Sequence, residues 1–360
     1  MAKMISKTLL VVFVVPCLGF FSETASGQAM LGASRPAFET KRSETKRAPA
    51  KKTASPSAVR HSPTPVSPVT SISEIAAWQA ALERAGYSPG IIDGIAGPKT
   101  EIALRTFQVV SEIPVTGRFD PVTRQALAID LVPSTRRHVL TQAEQALIGE
   151  CPEDWIAKSK AKWLGFKSLA SFAANLGHCS LKLLAVLNPD VDLESLKPGD
   201  AVVLPNVVRT KKWPKTATVE VDFGTKLVWA FDRSDKLVGL FHCSIAQEEQ
   251  QRPGGVCKVA NITVKPKYLF KPESWPEVKG VNQRLIIPPG PRNPVGLCWI
   301  GLSLKGYGIH GTPEPELIGK TGSHGCIRLT NWHVLRLAEM LDVGAEVRFV
   351  DSSTNLAHRG

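Results

Sequence analysis

Apolar positions along the chain change period several times, and each change marks an element. Ile75, Trp78, Leu82 and Ala85 recur at three- and four-residue intervals, which predicts a helix with one buried face. Turn residues follow at Gly86, Gly90, Asp93-Gly94 and Gly97, and Pro98 suits the first turn of a second helix carrying Ala103, Phe107 and Val110. The stretch from Gly94 to Leu104 is echoed from Gly117 to Leu127, with Gly, Pro, Thr, Ala and Leu in register. Two turn–helix units are therefore expected to pack together. Farther on, Ser168 to Leu176 and Ser180 to Leu187 read as short helices, and Leu196-Lys-Pro-Gly-Asp200 turns into a strand from Ala201 to Pro205. From Thr216 to Ile309 short apolar runs alternate with Pro and Gly turns, which predicts β structure. One helix follows, capped by Thr330 or Asn331, with Val334, Ala338 and Leu341 on its apolar face. Gly344 ends it, and Ala345 to Val350 returns to strand.

The fold class expected from this pattern is multidomain. A small all-α domain spans 72–132, a linker 133–160, and a small α+β module 161–208. A mostly-β domain spans 215–351, expected as a β-sandwich with a small helical cap, and 352–360 is a tail. The N-terminal part has another character. Lys3 and Lys7 precede an apolar run from Leu9 to Phe21, then Ala25-Ser26-Gly27, the layout of a secretory signal peptide over 1–27. Residues 28–71 read as a disordered tether. Between 35 and 60 eight Lys and Arg face two Glu, and Pro, Ser and Thr dominate from Ser62 to Ser71. Much of the formal net charge of +12 is therefore local to this tether, and an exported chain without base-reading motifs implies no nucleic-acid partner. Export also allows disulfides, with Cys151–Cys179 and Cys243–Cys257 as candidates. Cys298 and Cys326 then remain, a candidate redox pair.

The chemistry is concentrated in Ser323-His324-Gly325-Cys326-Ile327-Arg328 and, upstream, Ile309-His310-Gly311-Thr312. A thiol reacts as thiolate, and a neighbouring histidine can take its proton and leave an ion pair. Gly311, Gly319, Gly322 and Gly325 make the intervening segment a loop able to bring His310 to Cys326. Gly325 allows a tight turn whose N–H groups face a developing oxyanion. No carboxylate stands out to orient the base, so a backbone carbonyl near Gly311 is the candidate. Arg328 offers a bidentate hold on a substrate carboxylate. The same residues also admit a buried structural thiol, or a zinc site of His310, His324 and Cys326. No Cys-x-x-Cys pair or His-Glu-x-x-His helix supports metal, so neither metal nor organic cofactor is expected.

On these residues the chain resembles the L,D-transpeptidases with a YkuD-type catalytic domain. The resemblance runs over about 215 to 351 and includes Thr218–Asp222, Lys226–Ala230 and Pro288–Gly296; Arg252-Pro-Gly-Gly-Val256 departs from the family's Thr-Pro-x-Gly. It implies that Cys326 is the acylated nucleophile and His310 the base, oriented by the Gly311 carbonyl. Ser323, His324 and Gly325 would shape the oxyanion site, and Arg328 would contact substrate. The implied reaction is acyl transfer at the L-centre of a stem-peptide diamino acid. D-alanine leaves, and a neighbouring stem amine attacks the thioester to form a 3→3 cross-link. Water as acceptor would make the chain an L,D-carboxypeptidase, a protein amine would make it a wall-anchoring enzyme, and an inactive site would leave a structural wall-binding protein. Trp78-Gln79 to Phe107-Gln108 resembles a small helical peptidoglycan-binding domain. Residues 161–208 resemble a LysM glycan-binding module in which Trp163-Leu-Gly-Phe166 stands in place of the opening strand. The implied partners are peptidoglycan stem tetrapeptides and glycan strands, with no membrane contact beyond the signal peptide, in the periplasm or cell wall.

Overall fold

A computed structural model describes residues 71–275, 278–323 and 325–352. The expected signal peptide, all but the last residue of the tether, and His324 lie outside the described residues. Helix α1 (Ile72–Ala85) opens where the Ser71 side chain accepts from Glu74 N–H, and it closes on Gly86 at φ 102°, a left-handed turn that suits glycine. Helices α2 (Pro98–Val110) and α3 (Pro121–Ala126) each begin with proline in the first turn. The sequence echo has a specific cause. The Gln79 side chain accepts from Gly94 N–H and donates to the Ile95 carbonyl and Thr100 Oγ1. Gln108 repeats this, accepting from Gly117 N–H and donating to Thr123 Oγ1 and, weakly, to the Arg118 carbonyl. Each repeat is a buried glutamine satisfied by the turn and helix that follow it.

Strand β1 (Thr135–Val139) opens the next unit, followed by α4 (Gln142–Gln145), α5 (Trp155–Lys160), α6 (Leu169–Leu176), α7 (Leu181–Leu187) and β2 (Ala201–Pro205). β1 pairs antiparallel with β2, Thr135 opposite Pro205 and Val139 opposite Ala201. Leu183 and Leu184 of α7 pack with Val202 and Leu204. The unit is therefore β-α-α-β, with residues 140–167 inserted between β1 and α6. This corrects the expected boundaries. The segment taken as linker supplies the opening strand, and Trp163–Phe166 does not replace it. Thr-Arg-Arg-His-Val has no apolar alternation to announce a strand.

The C-terminal domain comprises β3 (Thr218–Asp222), β4 (Leu227–Phe231), β5 (Leu237–His242), β6 (Val256–Val264), β7 (Tyr268–Phe270), β8 (Leu285–Ile287), β9 (Cys298–Leu302), β10 (Gly308–His310), β11 (Ile327–Arg328), α8 (Asn331–Met340) and β12 (Glu346–Val350). Eight strands form one sheet in the order β11-β10-β9-β6-β12-β3-β4-β5, and β7–β8 is a separate hairpin. The expected β-sandwich is thus a single curled sheet. The cause is β6, nine residues long, which pairs with β12 through Val256–Lys258 and with β9 through Val259–Val264. A register shift between Val259 and Asn261 carries the strand from one half to the other. Val334, Leu337 and Met340 of α8 fill the interior against Val219, Val221, Ile300 and Ile309.

The modules are tied closely. Leu240 of β5 donates to the Gly86 carbonyl and accepts from Ser88 N–H, both at 3.0 Å, so the turn after α1 covers the sheet edge. Glu83 of α1 is fully buried. It meets His178 Nδ1 at 2.9 Å, His333 Nε2 at 3.0 Å and the Arg336 guanidinium. Lys99 donates to the Ile318 carbonyl at 2.6 Å. All six described cysteines are free thiols. The expected Cys243–Cys257 link does not form. Cys243 follows β5, and three strands separate β5 from β6. Cys151 lies in the insertion near the Arg292 carbonyl, whereas Cys179 sits in the β-α-α-β core.

Candidate active site

Strand register decides which side chains meet. Trp299 of β9 lies opposite His310 of β10, and His310 lies opposite Arg328 of β11. Side chains alternate across a sheet, so Trp299, His310 and Arg328 share one face, and Cys326, in the turn just before β11, lines the cleft on that face. The alternate residues Cys298, Ile300, Ile309 and Ile327 are at most 1% exposed and belong to the core. Cys298 is therefore enclosed in the core. The candidate Cys298–Cys326 redox pair is not formed: both thiols are free, Cys298 in the core and Cys326 lining the cleft. Gly308 completes the face by its lack of a side chain: a Cβ there would overlap the Trp299 indole. That indole stacks on the His310 ring, centroids 5.8 Å apart and planes 18° from parallel.

His310 Nδ1 lies 2.7 Å from the Gly311 carbonyl oxygen. A carbonyl only accepts, so Nδ1 carries the proton and Nε2 presents its lone pair. Burial pushes the His310 pKa down to about 4, with Arg328 adding to the effect against the Gly311 hydrogen bond. Burial pushes the Cys326 thiol up, a hydrogen bond at the backbone of Gly308 and the charge of Arg328 opposing it. At neutral pH the resting pair is thus an uncharged thiol and an uncharged imidazole, unlike the ion pair expected from sequence. The Cys326 thiol donates to the Gly306 carbonyl at 3.7 Å.

The loop before Cys326 is held from two sides. Ser323 Oγ donates to the Cys326 carbonyl at 2.5 Å and accepts from Gly325 N–H at 3.4 Å. Gly325 has φ 136°, a backbone that favours glycine. Ser323 N–H donates to the Ile245 carbonyl, and Arg328 N–H to the Ser244 carbonyl, so residues 244–245 guide both ends of the turn. Asn331 is a residue sequence reasoning treated only as a cap, and Thr330 makes that cap. Asn331 Oδ1 instead accepts from Leu297 N–H at 2.9 Å, and its amide donates to the Pro291 carbonyl at 3.0 Å. It thereby pins the proline-rich approach beside Gly311, where a Cβ would overlap Asn331 Oδ1.

Cys326, His310, Ser323 and Arg328 line a cleft of about 540 Å³. Hairpin β7–β8 and the segment after β7 contribute Tyr268 and Trp275, and α5 contributes Trp155 and Lys158. The two α5 residues carried no signal in the sequence because their helix is six residues long and lies in a polar stretch. Arg328 Nε is buried without a hydrogen-bond partner among the described residues. Its guanidinium therefore retains capacity for a substrate anion.

Residues 216–349 match the family profile described as the L,D-transpeptidase catalytic domain. Residues 71–127 match that described as "Putative peptidoglycan binding domain". Among curated relatives, the chain is 29% identical over 181 residues to "Putative L,D-transpeptidase YkuD" of Bacillus licheniformis, covering 50% of this chain and 92% of that protein. It is 44% identical over 124 residues to "Putative L,D-transpeptidase YqjB" of Bacillus subtilis, covering 33% and 63%. It is 28% identical over 186 residues to "Probable L,D-transpeptidase ErfK/SrfK" of Escherichia coli, covering 51% and 59%. The chain thus spans nearly all of the first and about three fifths of the other two. It carries an L,D-transpeptidase catalytic domain behind a peptidoglycan-binding domain, and is an enzyme of the L,D-transpeptidase class.

Proposed function

We propose that the protein forms 3→3 cross-links between peptidoglycan stem peptides through a thioester on Cys326. One observation carries this reading. His310 and Arg328 share one sheet face, Cys326 lines the same cleft from the turn before β11, and the Gly311 carbonyl fixes His310 so that Nε2 is the available base. Because both groups are uncharged at rest, the Cys326 proton passes to Nε2 as Sγ attacks the amide carbonyl of the diamino acid. The oxyanion forms beside Ser323 and Gly325. The amide C–N bond then breaks, and D-alanine leaves with the proton from Nε2. The acceptor amine gives a proton to Nε2 as it attacks the thioester, and the thiol is regenerated when that proton returns to sulfur. Arg328 holds a substrate carboxylate by charge-assisted hydrogen bonds.

The β-α-α-β unit supports a LysM-like glycan-binding role, now with β1 as its opening strand. The place of action is the periplasm or cell wall, where the polymer lies. Purified protein incubated with tetrapeptide muropeptides is expected to give cross-linked dimers by mass. Cys326→Ala should lower turnover by at least about a thousandfold. Tripeptide monomers in place of dimers would reassign the acceptor to water, and no product from wild type would end the transpeptidase reading.

A further inference from the structure

Hairpin β7–β8 does not rest on the main core of its own domain. Its inner residues Phe270, Leu285 and Ile287 form a separate cluster with Leu164, and Trp155 and Ile156 of α5 pack onto it. Trp155 stacks on Phe270 with centroids 4.2 Å apart and lies 5.4 Å from Trp275. Leu164, fully buried, donates its N–H to the Pro289 carbonyl and accepts from Arg292 N–H. The insertion in the β-α-α-β unit therefore builds one wall of a cleft whose nucleophile lies more than 150 residues later in the chain.

That wall carries charge as well as rings. Lys158 lies over the Trp155 ring, Nζ 4.9 Å from its centroid, which fixes where the ammonium sits. Lys158, Lys271, Arg292 and Arg328 all line the cleft, against Glu314 as the one carboxylate among its described lining residues. None of the four cations forms an ion pair within 4.0 Å with a described residue. Unpaired cations gathered among aromatic walls favour an anionic ligand.

We propose that α5 supplies a substrate-binding residue to the cleft: Lys158, held by Trp155, takes a carboxylate of the stem peptide together with Lys271 and Arg292. The donor specificity of this enzyme is then set in part by the insertion, outside the catalytic domain. This rests on the transpeptidase reading for the identity of the ligand, and its test is independent of turnover. Binding is measured by calorimetry on the full chain carrying Cys326→Ala, with and without Lys158→Gln. The probes are a tetrapeptide stem ending in diamino acid–D-alanine and the same peptide with all carboxylates amidated. Lys158→Gln is expected to weaken the carboxylate peptide about tenfold and to leave the amidated peptide within about twofold. Trp155→Phe, which keeps a ring on Phe270, should give a smaller loss with the same selectivity. Equal losses for both peptides, no loss for either, or no binding of the carboxylate peptide to the parent protein would each overturn the proposal. Binding that shows this selectivity in a protein whose wild type forms no product would leave it standing and remove only the cross-linking reaction.

Discussion

A thiol pushed up by burial beside a histidine pushed down to about 4 leaves the proposed nucleophile, Cys326, protonated at rest. Alkylation of Cys326 by iodoacetamide should therefore rise steadily from about pH 6 to about pH 9, without a plateau, because the thiolate fraction stays small across that range. An inflection near neutrality in the mass-monitored rate would show an ion pair instead. His310, Cys326 and Arg328 were legible in the sequence because they sit in two short stretches. Cys326 directly precedes β11, and His310 and Arg328 are opposed in register, so the two stretches converge on one cleft. Asn331 and Lys158 were illegible for the opposite reason. Asn331 meets Leu297 and Pro291, 34 and 40 positions away, and no local pattern encodes such contacts.

Among elements, the three strands β9, β10 and β11 matter most, and glycine sets their surface. Gly308→Ala is expected to displace the Trp299 indole and with it His310. Turnover in the muropeptide assay should fall by about tenfold or more if His310 is the base, as proposed, since small misplacements of a base are costly. Overpacking should lower stability by about 1–3 kcal/mol in denaturant titration. A folded variant with unchanged turnover would show that the stack does not position His310. Most elements were readable from apolar period, including α1, α2 and α8. β1 was not, because Arg136, Arg137 and His138 bring no apolar alternation and the strand is specified by its pairing with β2. The curl of the large sheet was equally hidden, since it depends on a register shift within β6.

The whole molecule turns on Glu83, which joins α1 to His178 of the β-α-α-β unit and to His333 and Arg336 of α8. Burial opposes its ionisation, but Arg336 and then His333 outweigh that and hold its carboxyl well below the usual range. Burial lowers His178 also, and takes His333 to about 4 from 6.5. The signs agree. The histidines contribute stability fully above their ordinary pKa of 6.5, and it is lost as pH falls toward about 4. Glu83 adds a loss below the ordinary carboxyl pKa of 4.5. The melting temperature should therefore drop as pH is lowered from about 6.5 to about 4, and a flat profile would remove the three-way junction from the account of stability. Glu83→Gln should cost about 3–5 kcal/mol by leaving Arg336 buried without its partner. Together with the β5 edge spent on Gly86 and Ser88, and Lys99 bound to the Ile318 carbonyl in the loop ahead of Cys326, this junction has a geometric meaning. The peptidoglycan-binding domain and the cleft of Cys326 are thereby held as the two jaws of a caliper. On the proposed cross-linking reaction, a polymer seated in one jaw would offer the other only those stems that lie at the set gap, so the spacing of cross-links would follow from the protein's own geometry.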